Sequence, residues 1–166
     1  MGAQIMSVQG GYTLNHNAAM AGMVADGQLL NSISKLNKGA AVIGYGKGVV
    51  TDGEDGAKLP LAGSTAAQFN GVVKYELNRA HTDAAPSGAI PYYDMTVVSS
   101  GVIWVKVLDT VAKDAPVYLR VGATGNGDFS GIVGTGVTLG VLIPGAKFVS
   151  GGTAGQLVKI SFNVGG

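Results

Sequence analysis

Side chains able to do acid–base, metal or nucleophilic chemistry are scarce in this chain, which has two histidines, ten acidic residues and no cysteine. His16 and His81 stand in no spacing that metal ligation uses, so each is expected to be an exposed polar residue. A Gly-x-Ser-x-Gly turn, with which a hydrolase presents its serine, is absent, and Ala62-Gly63-Ser64-Thr65 reads as a polar loop. Gly44-Tyr45-Gly46-Lys47-Gly48 and Gly134-Thr135-Gly136 match neither a phosphate loop nor a dinucleotide turn, and turn glycine explains both. Asp52-Gly53-Glu54-Asp55-Gly56 brings three carboxylates together, but without the alternating ligands and closing glutamate of a calcium loop; its Asp-Gly pairs make it a turn. No catalytic constellation can be assembled, so no enzymatic activity, metal or cofactor is expected. What remains is aromatic and cationic: Trp104, Lys106, Tyr118 and Arg120 in the middle of the chain, and Tyr92 and Tyr93 before them.

The elements that place these residues are short strands. Val97–Val121 reads as two β-branched runs, Val102–Leu108 and Val117–Val121, joined by a polar connection in the manner of a β-hairpin. Because strand side chains alternate, Ile103, Val105 and Val107 share one face with core character, as do Val117, Leu119 and Val121. Trp104 and Lys106 fall on the opposite face of their run, and Tyr118 and Arg120 on that of theirs. Those four either spread their stems over apolar surface as a half-buried outer face, or form a contact surface, where Trp, Tyr and Arg are enriched.

Upstream, residues 1–37 show no sustained period and are expected to form an extended N-terminal arm, either a plain flexible terminus or a segment that orders on binding. Residues 38–166 form the β domain. Within it Ala40–Tyr45, Gly48–Thr51 and the last part of Leu59–Glu76, following a kink at Gly71, are expected strands, and Asn78–Asp94 is the longest loop. Gly136–Ile143 reads as a buried strand, and Gln156–Val164 as a last strand with Val158, Ile160, Phe162 and Val164 on one apolar face. Short strands with turn signals about every ten residues describe an all-β fold, a compact sandwich or barrel.

Composition bounds the partners. Charged residues are 13%, the 28 glycines favour tight turns, and the formal net charge is +1, so the electrostatic footprint of direct nucleic-acid binding is missing. No stretch approaches a membrane span, and the N-terminus has neither a basic start nor an apolar run of signal-peptide length, so an unsecreted soluble protein is expected. With little charge and a mean hydropathy of +0.32, some apolar surface is expected to be covered by other subunits.

Several pieces, in order, resemble the structural cement proteins that decorate the heads of bacteriophages and prophages. They are Val24-Ala25-Asp26-Gly27, Gly39–Val50, Leu59–Val73, Tyr92-Tyr93, Val97-Val98, Gly101-Val102-Ile103-Trp104-Val105, Pro116-Val117-Tyr118-Leu119 and Gly127-Asp128-Phe129. Where the pattern commonly has glycine before the Pro-Val-Tyr strand, this chain has Asp114-Ala115, and Asp tolerates the left-handed backbone that such a turn requires. The resemblance implies a non-enzymatic protein of the virion, assembled in the bacterial host cytoplasm. It would bind the outside of the icosahedral shell and staple neighbouring major capsid protein subunits. It further implies self-association, as a homotrimer first and a homodimer second, and raises the contact reading of Trp104, Lys106, Tyr118 and Arg120. Val24, Asp26, Leu29 and Leu30 in the arm join Tyr92 and Tyr93 as expected contacts. The rival expectation is a β-rich module of a tail or fibre that binds carbohydrate or host surface, for which Tyr92, Tyr93 and Trp104 would serve.

Overall fold

A computed structural model describes residues 19–76 and 88–164 of the chain. The described strands are β1 (Asn31–Asn37), β2 (Ile43–Gly44), β3 (Gly48–Asp52), β4 (Gly56–Lys58), β5 (Phe69–Val73), β6 (Gly88–Ala89), β7 (Asp94–Lys106), β8 (Pro116–Arg120), β9 (Phe129–Ser130), β10 (Gly140–Phe148) and β11 (Leu157–Asn163). Single 3-10 turns at Ala66–Gln68 and Gly136–Thr138 are the only helical pieces among the described residues. The expected all-β class is thus observed. His16, His81 and residues 78–87 of the expected long loop lie outside the described residues.

Two small rings of strands share β7. The first runs β1–β4–β3–β5–β7 and returns to β1, which pairs antiparallel with β7 from Asn31↔Ser100 to Leu36↔Asp94. Only the β1–β4 pairing in that ring is parallel, at Leu36↔Gly56 and Asn37↔Ala57. The second ring runs β7–β11–β10–β8–β9, and the bridge Val107↔Phe129 brings it back to the end of β7. At thirteen residues β7 is long enough for both rings, spanning about 40 Å at ~3.3 Å per residue. Of the two expected architectures, barrel closure rather than a sandwich of open sheets is what the pairings describe.

Alternation within the shared strands builds the core on two sides. Val49, Val73, Met95 and Val97 gather with Ile43, Ala57 and Ala89 in one cluster. Their sequence neighbours Val50, Val72 and Val98 turn the other way, into a larger cluster with Ile103, Val105, Leu119, Phe129, Phe148 and Ile160. Both faces of β5 are therefore buried along its whole length. The expected core faces Ile103–Val105–Val107, Val117–Leu119–Val121 and Val158–Ile160–Phe162 are all buried.

Two expectations are corrected. β7 and β8 do not form a hairpin, because β11 and β10 stand between them. Alternation assigns a side chain to a face but names no partner strand, and residues 107–115 are long enough to cross over. The bridge Val111↔Gly152 holds that crossing in place. So does Asp114, which adopts a left-handed φ of 65° and donates its N–H to the Phe148 carbonyl at 2.7 Å. The second correction concerns Gly136–Ile143: its first half is an exposed 3-10 turn and strand structure starts only at Gly140.

The arm residues within the described chain lie against their own domain. Gly22 and Ala25 donate N–H groups to the Trp104 and Val102 carbonyls at 2.7 and 2.8 Å, and Trp104 N–H returns to the Met23 carbonyl at 2.9 Å. The last seven residues of the 1–37 span are β1 itself.

Candidate contact surfaces

β7 is the axis along which most of the expected contact residues are strung. Val24 is bridged to Ile103 on β7, and Asp26 follows it with one carboxylate oxygen buried and unpartnered among the described residues. Leu29 is 90% exposed and Leu30 lies against Gly101, halfway along the strand. Trp104 and Lys106 share the outward face of its last turn of pleat; Trp104 is half-buried and Lys106 exposed. At the other end, before β7 begins, Tyr92 and Tyr93 are 70% and 63% exposed.

That tyrosine turn is held by Asn37, which is fully buried at the end of β1. Its backbone accepts from Tyr92 N–H at 2.8 Å and donates to the Tyr93 carbonyl at 3.0 Å. Its amide nitrogen donates to Ala89 and Ala41 carbonyls at 2.9 and 3.2 Å, while its amide oxygen accepts from Gly39 N–H at 2.9 Å. Tyr92 itself takes a left-handed φ of 63°, uncommon for a bulky residue, so its ring is presented by a backbone the surroundings must enforce.

Tyr118 and Arg120 belong elsewhere, on β8, which β11 and β10 separate from β7. Tyr118 is half-buried opposite Leu142 and Ser130. Arg120, which alternation put on an outer face, is only 4% exposed, because residues 131–139 fold over it. Its Nη2 lies 3.9 Å from Asp109 Oδ2, and its Nε and Nη1 have no partner among the described residues. Asp109 in turn accepts from Ser130 Oγ at 2.6 Å and Gly131 N–H at 2.8 Å. Removing that carboxylate leaves a buried cation uncompensated and the Gly131 N–H unpaired, while Ser130 Oγ keeps the Ile132 carbonyl at 2.7 Å. Asp109→Ala is therefore expected to cost about 2–3 kcal/mol in a denaturant melt, with much of the loss recovered in the Asp109→Ala/Arg120→Met double variant. Equal losses in the single and double variants would refute the electrostatic reading.

Two surfaces emerge that the sequence did not single out. The outward face of β7, β11 and β10 carries Lys106, Lys159 and Lys147, brought together by the registers Lys106↔Leu157, Lys159↔Trp104 and Lys147↔Ser161. Lys159 Nζ stands 5.2 Å from the centre of the Trp104 ring, a cation–π distance. A cleft of about 310 Å³ on this face is lined by Gln28, Val102, Lys113, Asp114 and Lys147. Four lysines against one aspartate give the face a charge of +3, where the whole chain carries +1. Each strand carries only one of these lysines, so the patch needed the β7–β11–β10 order to appear.

The second surface is apolar. Ile132, Val133, Val137, Leu139 and Leu142 are all exposed, Val137 by 60%, on the knob formed by residues 131–142. Among the described residues no cluster of three or more His, Cys, Asp or Glu could hold a metal ion.

Comparison with known proteins gives three findings. The family model of the structural cement proteins (E217 gp24/Pam3 gp6) matches residues 8–163. A chain of the solved capsid of Myoviridae phage XM1 superposes with a TM-score of 0.71 at 18% identity, covering 95% of this chain and 98% of that one, and has the same fold. No curated protein matches the chain.

Proposed function

The chain belongs to the structural cement protein family, and from that premise we propose that it decorates the outside of an assembled icosahedral phage head, stapling neighbouring major capsid protein subunits. It is a structural protein of the phage capsid with a stabilising role. Its work is adhesion, with no reaction to catalyse. The observation that supports the outward, shell-binding arrangement is the line of exposed and half-buried residues along β7: Tyr92 and Tyr93 at one end, Leu29 and Leu30 in the middle, Lys106 and the half-buried Trp104 at the other. A rod of about 40 Å with contacts at both ends can touch two subunits at once, which is what a staple must do. Bonds from Gly22, Met23 and Ala25 to Trp104 and Val102 hold the arm, with Val24 and Asp26, beside β7, and the lysine face offers an acidic shell surface its counter-charge. Copies arranged as trimers at local three-fold positions, or second as dimers across two-folds, would multiply a modest contact through avidity.

The test is co-sedimentation of purified protein with undecorated capsids. Saturable binding is expected, and no binding at saturating concentration would end the proposal. Lys106→Glu/Lys159→Glu should weaken binding about tenfold at 0.15 M salt, with the deficit shrinking as added salt shortens the screening length below ~8 Å. Both side chains reach solvent, so the melting temperature should hold within about 2 °C. A deficit independent of salt would show that the charges are not the contact.

A further inference from the structure

We propose that the knob of residues 131–142 is the surface through which copies of this chain bind one another, leaving the β7 line and the lysine face for the shell. The inference rests on the cement reading and adds to it the surface of self-association. Three features of the knob carry it.

The knob is built, not loose. Val121 and Gly122 N–H groups donate to the Leu139 carbonyl at 2.9 and 3.0 Å, Thr124 N–H to the Val137 carbonyl at 3.0 Å, and Gly140 N–H to the Val133 carbonyl at 2.6 Å. Thr138 Oγ1 donates to the Thr135 carbonyl at 2.9 Å and closes the 3-10 turn. Side chains displayed on a backbone so fully bonded lose little conformational freedom on binding.

Its size fits. Five aliphatic residues between 132 and 142, exposed by 37% to 60%, together expose on the order of 400 Å², within the size that a functional patch on a soluble monomer reaches. A standard interface buries about 800 Å² per partner, a little over half of it non-polar, so the knob supplies the apolar part of one side of such a contact.

Its charge selects the occupant. No charged residue occurs between Gly131 and Ala146. When copies meet around a symmetry axis, equivalent residues approach one another, and a face of like charges repels itself. The lysine face, at +3, is unsuited to that meeting; an uncharged knob is suited to it. Tyr118 and Leu142, paired side by side at its edge, extend the same surface.

The experiment is the solution mass of the full chain by sedimentation equilibrium, with capsid binding measured on the same samples. The wild type is expected to be a dimer or trimer at micromolar concentration. Val137→Glu, and separately Ile132→Glu, should raise the dissociation constant at least a hundredfold and yield a monomer of unchanged melting profile, since both side chains already stand in solvent. A monomeric wild type, or charged variants that keep the parental mass, overturns the proposal. A variant that keeps its mass but loses capsid binding also overturns it, by assigning the knob to the shell. Loss of the cement reading is distinguishable: an oligomer that the charged variants dissolve but that never binds capsids removes the function while the knob's assignment stands.

Discussion

A chain beginning at Lys38 is expected not to fold, whereas one beginning at Asn31 is expected to melt cooperatively a few degrees below the full chain. The difference between them is β1. Three of its seven residues are exposed and three half-buried, so it contributes little apolar burial beyond Ile33 and Leu36. What it contributes is closure: it pairs with β7 from Asn31↔Ser100 to Leu36↔Asp94 and with β4 at Leu36 and Asn37, completing the first ring. Without it the backbone groups of β4 and β7 lose their partners, and the Asn37 amide no longer ties Ala41, Ala89 and the tyrosine turn together. Several ladder bonds at about 1 kcal/mol net each, with a buried amide's partners left unpaired at a further 1–3 kcal/mol each, consume most of the ~5–15 kcal/mol that holds a domain of this size. Among the described residues, the Asn31 chain loses the bonds of Gly22, Met23 and Ala25 to β7 and of Gly22 to Tyr75, which cost less because much of that segment lies on the surface. It should nonetheless bind capsids poorly, lacking Leu29 and Leu30. Circular dichroism melts of the two truncations decide the matter, and a Lys38 chain that melts like the parent would show that β1 is an accessory.

The second large effect is expected at Gly71. This residue takes φ +134° in the middle of β5, a conformation closed to side-chain-bearing residues, and a Cβ built there falls onto the Val98 carbonyl oxygen of the adjacent β7. Neither strand can retreat, since β5 is buried on both faces and β7 belongs to both rings. Gly71→Ala should therefore cost more than about 4 kcal/mol, in the range reserved for combined strain and overpacking, and Gly71→Val should abolish folding. Gly63 is the control: its φ is +94° but nothing lies within 4 Å of its Cβ position, so Gly63→Ala should cost only about 1–2 kcal/mol of backbone strain. Similar midpoints for the two alanine variants in a urea titration would remove packing from the explanation.

Much of the fold was legible because burial of one strand face leaves a period of two in the sequence. Ile103, Val105, Val107 and Val158, Ile160, Phe162 declare their faces by alternation alone. Partnership is not written that way: β7 and β8, adjacent in sequence and alike in composition, have β11 and β10 between them. The knob was misread for a related reason. Gly136-Val137-Thr138-Leu139 has the composition of a buried strand, but Gly134 and Gly136 take φ of 62° and 56° and curl the chain outward instead. Glycine alternating with apolar residues was the warning. Arg120 went the opposite way, covered by the same loop that exposes Val137. Of the expected contact residues, those strung along β7 were chosen through the resemblance and through aromatic character; the lysine face needed the strand order, which only folding reveals.

One consequence of the shared strand is mechanical. A staple transmits tension, and resistance to tension depends on how the load meets the ladder. Force applied between the tyrosine end and the tryptophan end of β7 runs along a strand that is already extended, so it does not peel the bonds to β1, β5 and β11 one after another. Because β7 is continuous through both rings, tension passes from one to the other along covalent backbone, without crossing a hinge or a linker. The molecule is thereby stiffest along β7.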